Sequence, residues 1–366
     1  MANGSIHLQR KSVNYLNPAL IGIVASAALT ALVIIGSRNL ENFDSALFGY
    51  TVASIVAFGA IFFRYTIWLQ RPATRAYFMR GLRLFFQRKK FGRNAAVAGK
   101  TIATNLIEQR FIFKRDRVRW LMHLLIMWGC IISALVTFPL VFGWVGFRLE
   151  GDIGYRTYVF GFPLNVMEGR SLVAWVTFHA LDFTAVMVIA GCAIAIHRRL
   201  RDRGAIAVQT FLLDFVPHML LIAISVSGLM LTASSLWFSG YMYSFIALSH
   251  QALVIMTLFF IPFGKLFHII QRPASIGVEL YQNRSEEMEQ AVCPRCGTMF
   301  IGKMWLDDLK GVVDKLGFDY RLENGHTLQD YCPRCKRVTR GLAYAGMPKS
   351  NEGVFYGTRA SGDQED

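Results

Sequence analysis

Six apolar runs, at residues 19–37, 46–69, 118–145, 171–197, 211–238 and 243–270, constrain this chain more than any other feature. A helix of roughly 18–20 apolar residues crosses the hydrocarbon core of a bilayer, and each run reaches that length. Backbone groups in lipid must hydrogen-bond within their own segment, so such runs are read as spanning helices. The composition agrees: of 366 residues, 54% are hydrophobic and only 17% charged, more apolar than ordinary soluble domains. The first run is too long for a cleavable leader and lacks a small-residue cleavage pattern, so it is read as a retained span. The expected fold class is an all-α integral membrane helix bundle of about six transmembrane helices, followed by a small soluble domain.

Basic residues set the expected orientation. Fourteen Lys and Arg lie between Arg71 and Arg119, against two acids, Glu108 and Asp116. The loop after the fourth run reads HRRLRDRG, whereas the 146–170 connection balances three basic residues with three acidic ones. The positive-inside rule then puts both termini, the 71–117 loop and the 198–210 loop in the cytoplasm; the expected location is a prokaryotic inner membrane. The net charge of +15 is accounted for by topology and lipid headgroups without nucleic acid. It also suits a docking face for an acidic soluble partner. Within the loop, TRAYFMRGLRLFFQRKK alternates aromatic and basic residues as a helix lying in the membrane interface does.

The last run carries a histidine at each end, His250 and His268, eighteen residues apart. On one continuous helix that is about five turns, so both rings would share a face roughly 27 Å apart along the axis. Histidine inside a membrane is costly and marks function by default. Two stacked b-type haems would use two such rings, since neutral imidazole is a standard axial ligand. Partners at matching depth are His123 on the third run, level with His268, and His179 on the fourth, level with His250. His218, after Pro217, rivals them for the inner haem, and His197 lies at the headgroups beside Arg198 and Arg199. His7 and His326 fall outside the spans.

The string HQALVIMTLFFIPFGKLFH, followed by IIQRPASIGVELY, resembles the last span of the gamma subunit of respiratory nitrate reductases. The resemblance extends more weakly over residues 46–282, through LMHLLIMWG and LDFVPHMLLIAISVSGLMLT. It implies a five-helix bundle holding two b haems, which exchanges electrons with a quinone on one side and an iron–sulfur protein on the other. Carried over by position, His123 matches the first ligand, and His250 and His268 match the two on the last helix. The fourth ligand position, ten residues after the first, is Ser133 here. Either His179 serves instead, or the chain holds one haem. The first run is an additional span relative to that family.

Other intramembrane features are compatible with haem or with plain packing. Gly129, Gly191 and Gly228 let a macrocycle or a neighbouring helix approach. Arg119 and Lys265 lie near the inner pair, as propionate partners or as residues snorkelling to the interface. Asp182, three residues after His179, is a quinone or proton residue or an interhelical hydrogen bond. Any quinone pocket near the outer haem would draw on the 146–170 connection. Cys130 and Cys192 read as packing residues.

The tail holds CPRCG at Cys293–Gly297 and a second pair, Cys332 and Cys335, with 35 residues between Cys296 and Cys332. Two such pairs build a four-thiolate metal site, and thiols on the cytoplasmic side stay reduced. Zinc is expected, with iron the alternative, because CPRCG resembles half of a rubredoxin site while Lys336 stands where the second half has glycine. The stretch KMWLDDLKGVVDKLGF carries apolar residues at helical spacing, so an α+β zinc-ribbon-like domain with an inserted helix is expected.

No phosphate-binding loop, dinucleotide fingerprint or nucleophile elbow occurs, and no cysteine run of the iron–sulfur type. The expected layout is a tail and additional span at 1–45, a cytochrome b-like domain at 46–282 including the 71–117 loop, a metal ribbon at 283–349, and a flexible tail at 350–366. The expected function is a membrane cytochrome b subunit of a quinone-linked respiratory oxidoreductase. It would carry electrons between the quinone pool and a cytoplasmic iron–sulfur subunit through two b haems. The alternative is a haem-free proton-coupled transporter or a membrane anchor.

Overall fold

The computed structural model describes residues 13–346 except 203, 205, 206, 208 and 323. His7 and the 350–366 tail lie outside the described residues. The chain is mostly helical and divides into two compact units.

The larger unit comprises residues 14–66 and 103–272. Among the described residues, six helical stretches are long and apolar enough to cross a membrane: Leu16–Gly36, Ser45–Leu69, Arg117–Val141, Ala180–Arg201, Phe211–Trp237 and Tyr243–Phe263. Small residues and hydroxyls join the first two. A methyl group on Gly22 would stand 2.8 Å from the Gly59 carbonyl oxygen, and Ser26 Oγ donates to Ile55 O at 3.0 Å. This is the close approach that small residues permit where lipid offers no hydrophobic driving force. Leu29 and Val33 pack with Val141 and Phe142 at the end of the third span. Thr51 Oγ1 donates to Val141 O at 3.0 Å.

The third span packs along the fourth, the fourth on the fifth, and the fifth on the sixth. Glycine makes the first of these contacts possible. A Cβ on Gly129 would meet Val188 at 2.6 Å, and one on Gly191 would meet Met122 O at 2.9 Å. These two glycines therefore serve helix packing. Gly228 differs: a Cβ there meets only the His250 ring, 3.6 Å away.

Three stretches depart from the expectation. The 146–170 connection is a three-stranded antiparallel sheet, β1 (Val145–Glu150), β2 (Gly154–Val159) and β3 (Phe162–Glu168), in the order β1-β2-β3. Gly151 and Gly161 take positive φ at its turns, where glycine bears no steric penalty. The fourth run is two helices: Leu172–Phe178, capped by Ser171, ends at His179 (φ −102°, ψ 7°), and the membrane-length helix starts at Ala180. The sixth run ends at Phe263, where Gly264 turns extended (φ −98°, ψ −169°). A 3-10 turn at Lys265–Phe267 and a short helix at His268–Gln271 follow. His250 and His268 therefore do not lie on one continuous helix. Their common face, and the roughly 27 Å of axial rise between them, do not follow from helical periodicity.

The smaller unit brings residues 67–102 together with the chain from Pro273 onward. The basic loop supplies two helices, Pro72–Phe85 and Phe91–Thr101. Both pack on the helix Ser275–Glu286, which runs across the expected 282/283 boundary. Backbones cross at Gly81, where a Cβ would stand 2.7 Å from Gly277 Cα. Arg80 forks onto Asp308 (2.9 and 2.6 Å), and the Tyr281 hydroxyl donates to the same carboxylate at 2.7 Å. Burial first, then the Asp308 charge, pushes the Tyr281 hydroxyl far above its ordinary value.

The tail domain comprises the hairpin β4 (Gln290–Val292) and β5 (Met299–Gly302), the helix Lys303–Lys315, and the helix Pro333–Gly346. The inserted helix stands where its apolar spacing put it.

Candidate functional site

His123 and His268 come together. Their ring centroids are 6.4 Å apart with an interplanar angle of 66°. His123 sits on the third span, two turns into the helix that Asp116 caps through the Val118 and Arg119 amides. His268 opens the short helix beyond the break. Among the described residues the third and sixth spans share no extended contact, though Phe138 of the third and Val254, Ile255 and Ile261 of the sixth pack on one apolar cluster. In both spans only 11% of the most apolar window is buried, against 28% in the first, second and fourth. These two helices therefore present most of their surface to something other than this chain's own packing.

The hydrogen bonds of the imidazoles fix their tautomers. A carbonyl oxygen cannot donate, so a ring nitrogen bonded to one carries the proton. His268 Nδ1 donates to Lys265 O at 2.6 Å, His179 Nδ1 to Trp175 O at 2.9 Å, and His218 Nδ1 to Asp214 O at 2.8 Å. His250 Nδ1 faces Ser227 Oγ at 2.9 Å, while that hydroxyl gives its own hydrogen to Ala223 O at 2.7 Å. His250 donates in the same way where that hydroxyl's hydrogen goes to the carbonyl. A neutral ring held so leaves Nε2 as the free nitrogen, the one that ligates metals. His123 Nδ1 is buried and has no hydrogen-bond partner.

Other expected residues fall into place individually. His179 stacks on Trp175 at 5.1 Å, and among the described residues no ring contact or hydrogen bond joins it to His250. Ser133 donates to Thr184 Oγ1 at 2.7 Å, a hydroxyl bridge between the third and fourth spans. Asp182 accepts from Thr232 Oγ1 at 2.8 Å, so it makes the interhelical hydrogen bond. Lys265 is engaged by Asp214 at 2.6 Å. Arg119 is exposed, at the start of the third span.

Two residues escaped the sequence reading. Arg64, within the second span, donates to Pro262 O and, at 3.3 Å, to Gly264 O. Its guanidinium lies 4.4 Å from the centroid of the Phe267 ring. Asp214 is buried at the start of the fifth span and gathers Lys265, Arg199 (2.9 Å) and the Thr210 amide (2.9 Å). A charge inside an apolar run was the signal for both.

The four cysteines form the second centre. One Sγ from each of Cys293, Cys296, Cys332 and Cys335 lies within 4.8 Å of every other, so the group could hold a metal ion. Cys296 and Cys332 sulfurs are 3.7 Å apart. Four thiolates at ~2.3 Å around one tetrahedral ion stand roughly 3.8 Å from each other. The first pair lies in the turn of the β4–β5 hairpin, where Gly297 takes φ +70° and its amide donates to Cys293 O at 2.9 Å. The second pair opens the last helix, and the Cys335 amide lies 3.5 Å from the Cys332 sulfur. Burial raises the Cys293 thiol, but the Cys332, Cys296 and Arg295 amides outweigh it and leave it at about 6. Burial, then the neighbouring sulfurs, pushes Cys335 up to about 12. One site is thus ready as thiolate, and another needs a cation to become one.

Comparison of the chain with family models, curated proteins and solved structures gave no match.

Proposed function

We propose that this chain is a membrane cytochrome b subunit of a quinone-linked respiratory oxidoreductase. It would serve electron exchange between the membrane quinone pool and an iron–sulfur partner on the cytoplasmic side. The observation that carries the reading is the 6.4 Å separation of the His123 and His268 rings, one on the third span and the other just beyond the end of the sixth. A ligating imidazole nitrogen lies roughly 2 Å from its metal, and the ring centroid roughly 1 Å further back. Two imidazoles that would hold one metal ion between them would therefore stand with centroids about 6 Å apart. A direct hydrogen bond between the rings would draw them closer.

The donor chemistry fits a haem. His268 is held as the Nδ1–H tautomer by the Lys265 carbonyl, and His250 by Ser227. These are the outer contacts that orient an axial ligand and raise its basicity. A bound b-type haem supplies a one-electron couple within the bilayer. His123 and His268 would hold and orient it, and Arg119, exposed at the start of the third span, would be a cation for a propionate. Lys265, engaged by Asp214, stiffens the segment that carries His268. His250, with the space beside Gly228, supports a second haem whose other ligand would be His179. The four-cysteine centre is read as structural zinc, which makes a small domain foldable.

A reduced-minus-oxidised absorbance spectrum of the purified chain, with a pyridine haemochrome count, tests this. Two b haems support both pairs, and His179→Ala should then remove one. One haem, lost in His123→Ala and His268→Ala, leaves the inner pair alone. No haem in a folded preparation would sink the reading in favour of a proton-coupled transporter or anchor.

A further inference from the structure

The sixth span stops at Phe263, one residue after Pro262, and the chain must carry His268 to its place across an extended glycine. That break strands carbonyl groups. In an unbroken helix the Pro262 carbonyl would accept from residue 266; here Gly264 is extended and the ladder ends. A stranded carbonyl in an apolar setting needs a donor. Arg64 provides it from the second span, donating to Pro262 O and Gly264 O and lying over the Phe267 ring, which is 2% exposed. The next residue is His268. On its other side the segment is tied by Lys265 to Asp214, at 2.6 Å.

We propose that Arg64 is a positioning residue for His268: it clamps the broken end of the sixth span so that the imidazole faces His123. Its guanidinium is suited to this, because one terminal nitrogen reaches both carbonyls while the planar face covers an aromatic ring. A lysine ammonium could reach the carbonyls but offers no planar face to cover the ring. The spectroscopic arm of the test rests on the haem reading; the exchange arm does not.

The experiment uses the full chain in detergent, with whatever haem it carries, as wild type, Arg64→Met, Arg64→Lys and Phe267→Leu. Hydrogen exchange over residues 262–271 is followed by mass spectrometry, and coordination by the low-spin bis-imidazole signature. In Arg64→Met, loss of a charge-assisted contact should speed exchange at Gly264–His268 about tenfold. Part of the haem should become high-spin, and added imidazole should restore the low-spin signal. Arg64→Lys should recover part of both. Unchanged exchange and spin state in Arg64→Met would overturn the proposal. If that variant does not fold, Phe267→Leu keeps the carbonyl contacts and removes the aromatic platform, and a wild-type exchange rate there overturns it equally. A wild type without haem would defeat the electron-transfer reading, while the exchange comparison would still decide the clamp.

Discussion

Ser227 Oγ lies 2.9 Å from Nδ1 of His250 on the neighbouring helix and 2.7 Å from the Ala223 carbonyl oxygen. With its hydrogen on that carbonyl, the serine is placed to take the Nδ1 proton of an intramembrane histidine. Ser227→Ala should leave that N–H unpaired in an apolar setting, at a cost of about 1–3 kcal/mol. If His250 ligates a haem, its hold should weaken by roughly tenfold or more. Thermal unfolding in detergent and haem retention on dilution measure the two effects. Unaltered values in both would show that the contact does no orienting.

Ser133 stands where the resemblance requires a fourth ligand, yet its hydroxyl bridges to Thr184 at 2.7 Å. Ser133→Ala should cost about 1 kcal/mol of stability and leave the haem count unchanged. A lower count would mean that this position serves the cofactor in some other way.

The cysteine centre should carry one metal ion per chain, read as zinc by elemental analysis of the purified protein. Cys332→Ser should abolish it and unfold the β4–β5 hairpin. Binding requires thiolates, and Cys335 rests at about 12 without a cation. Metal uptake must therefore release protons, and retention should fall as pH falls. Iron with a visible chromophore in place of zinc would assign the centre to electron transfer.

Asp330 gives the tail domain its own acid sensitivity. Burial raises its carboxyl, but Lys310 and the Thr327 amide and hydroxyl outweigh burial and hold it below 3.8. A depressed carboxyl contributes its full stabilisation above the unfolded value near 3.8 and loses it as pH falls through the lower folded value. Acid unfolding of this domain should therefore set in below about pH 4, close to the unfolded carboxyl value, and Asp330→Asn should remove that component. A midpoint that does not move in the variant would contradict the assignment.

Arg80 and Asp308 join the first helix of the basic stretch to the inserted helix of the tail, with Tyr281 on the same carboxylate. Removing one partner leaves the other partly buried and unpaired. Asp308→Asn should cost about 1–2 kcal/mol, less than a fully buried pair because Arg80 is partly exposed. Limited proteolysis between residues 86 and 91 should then quicken. Unchanged cleavage would show that the pair is dispensable.

The spans and the four-cysteine centre were legible because their signals are local: eighteen apolar residues, or two close cysteine pairs. The meeting of His123 with His268 was legible as a pairing. Its derivation assumed a continuous sixth helix, and Gly264 interrupts that helix. Periodicity cannot see a break that a distant arginine makes tolerable. The sheet at 145–168 left a signal that went unused, since Gly151 and Gly161 punctuate three short stretches at strand length. Arg64 and Asp214 were visible as charges in apolar runs. Which carbonyls and cations they serve depends on residues 15 to 200 positions away.

The break at Gly264 also matters mechanically. A spanning helix tilts to match the thickness of its bilayer, and a rigid extension would swing any residue beyond its end. Here Arg64 holds both Pro262 and Gly264, and Lys265 is tied to Asp214, so the imidazole past the break is moored to two other helices. A lean of the sixth span should therefore be absorbed before Pro262, leaving His268 beside His123.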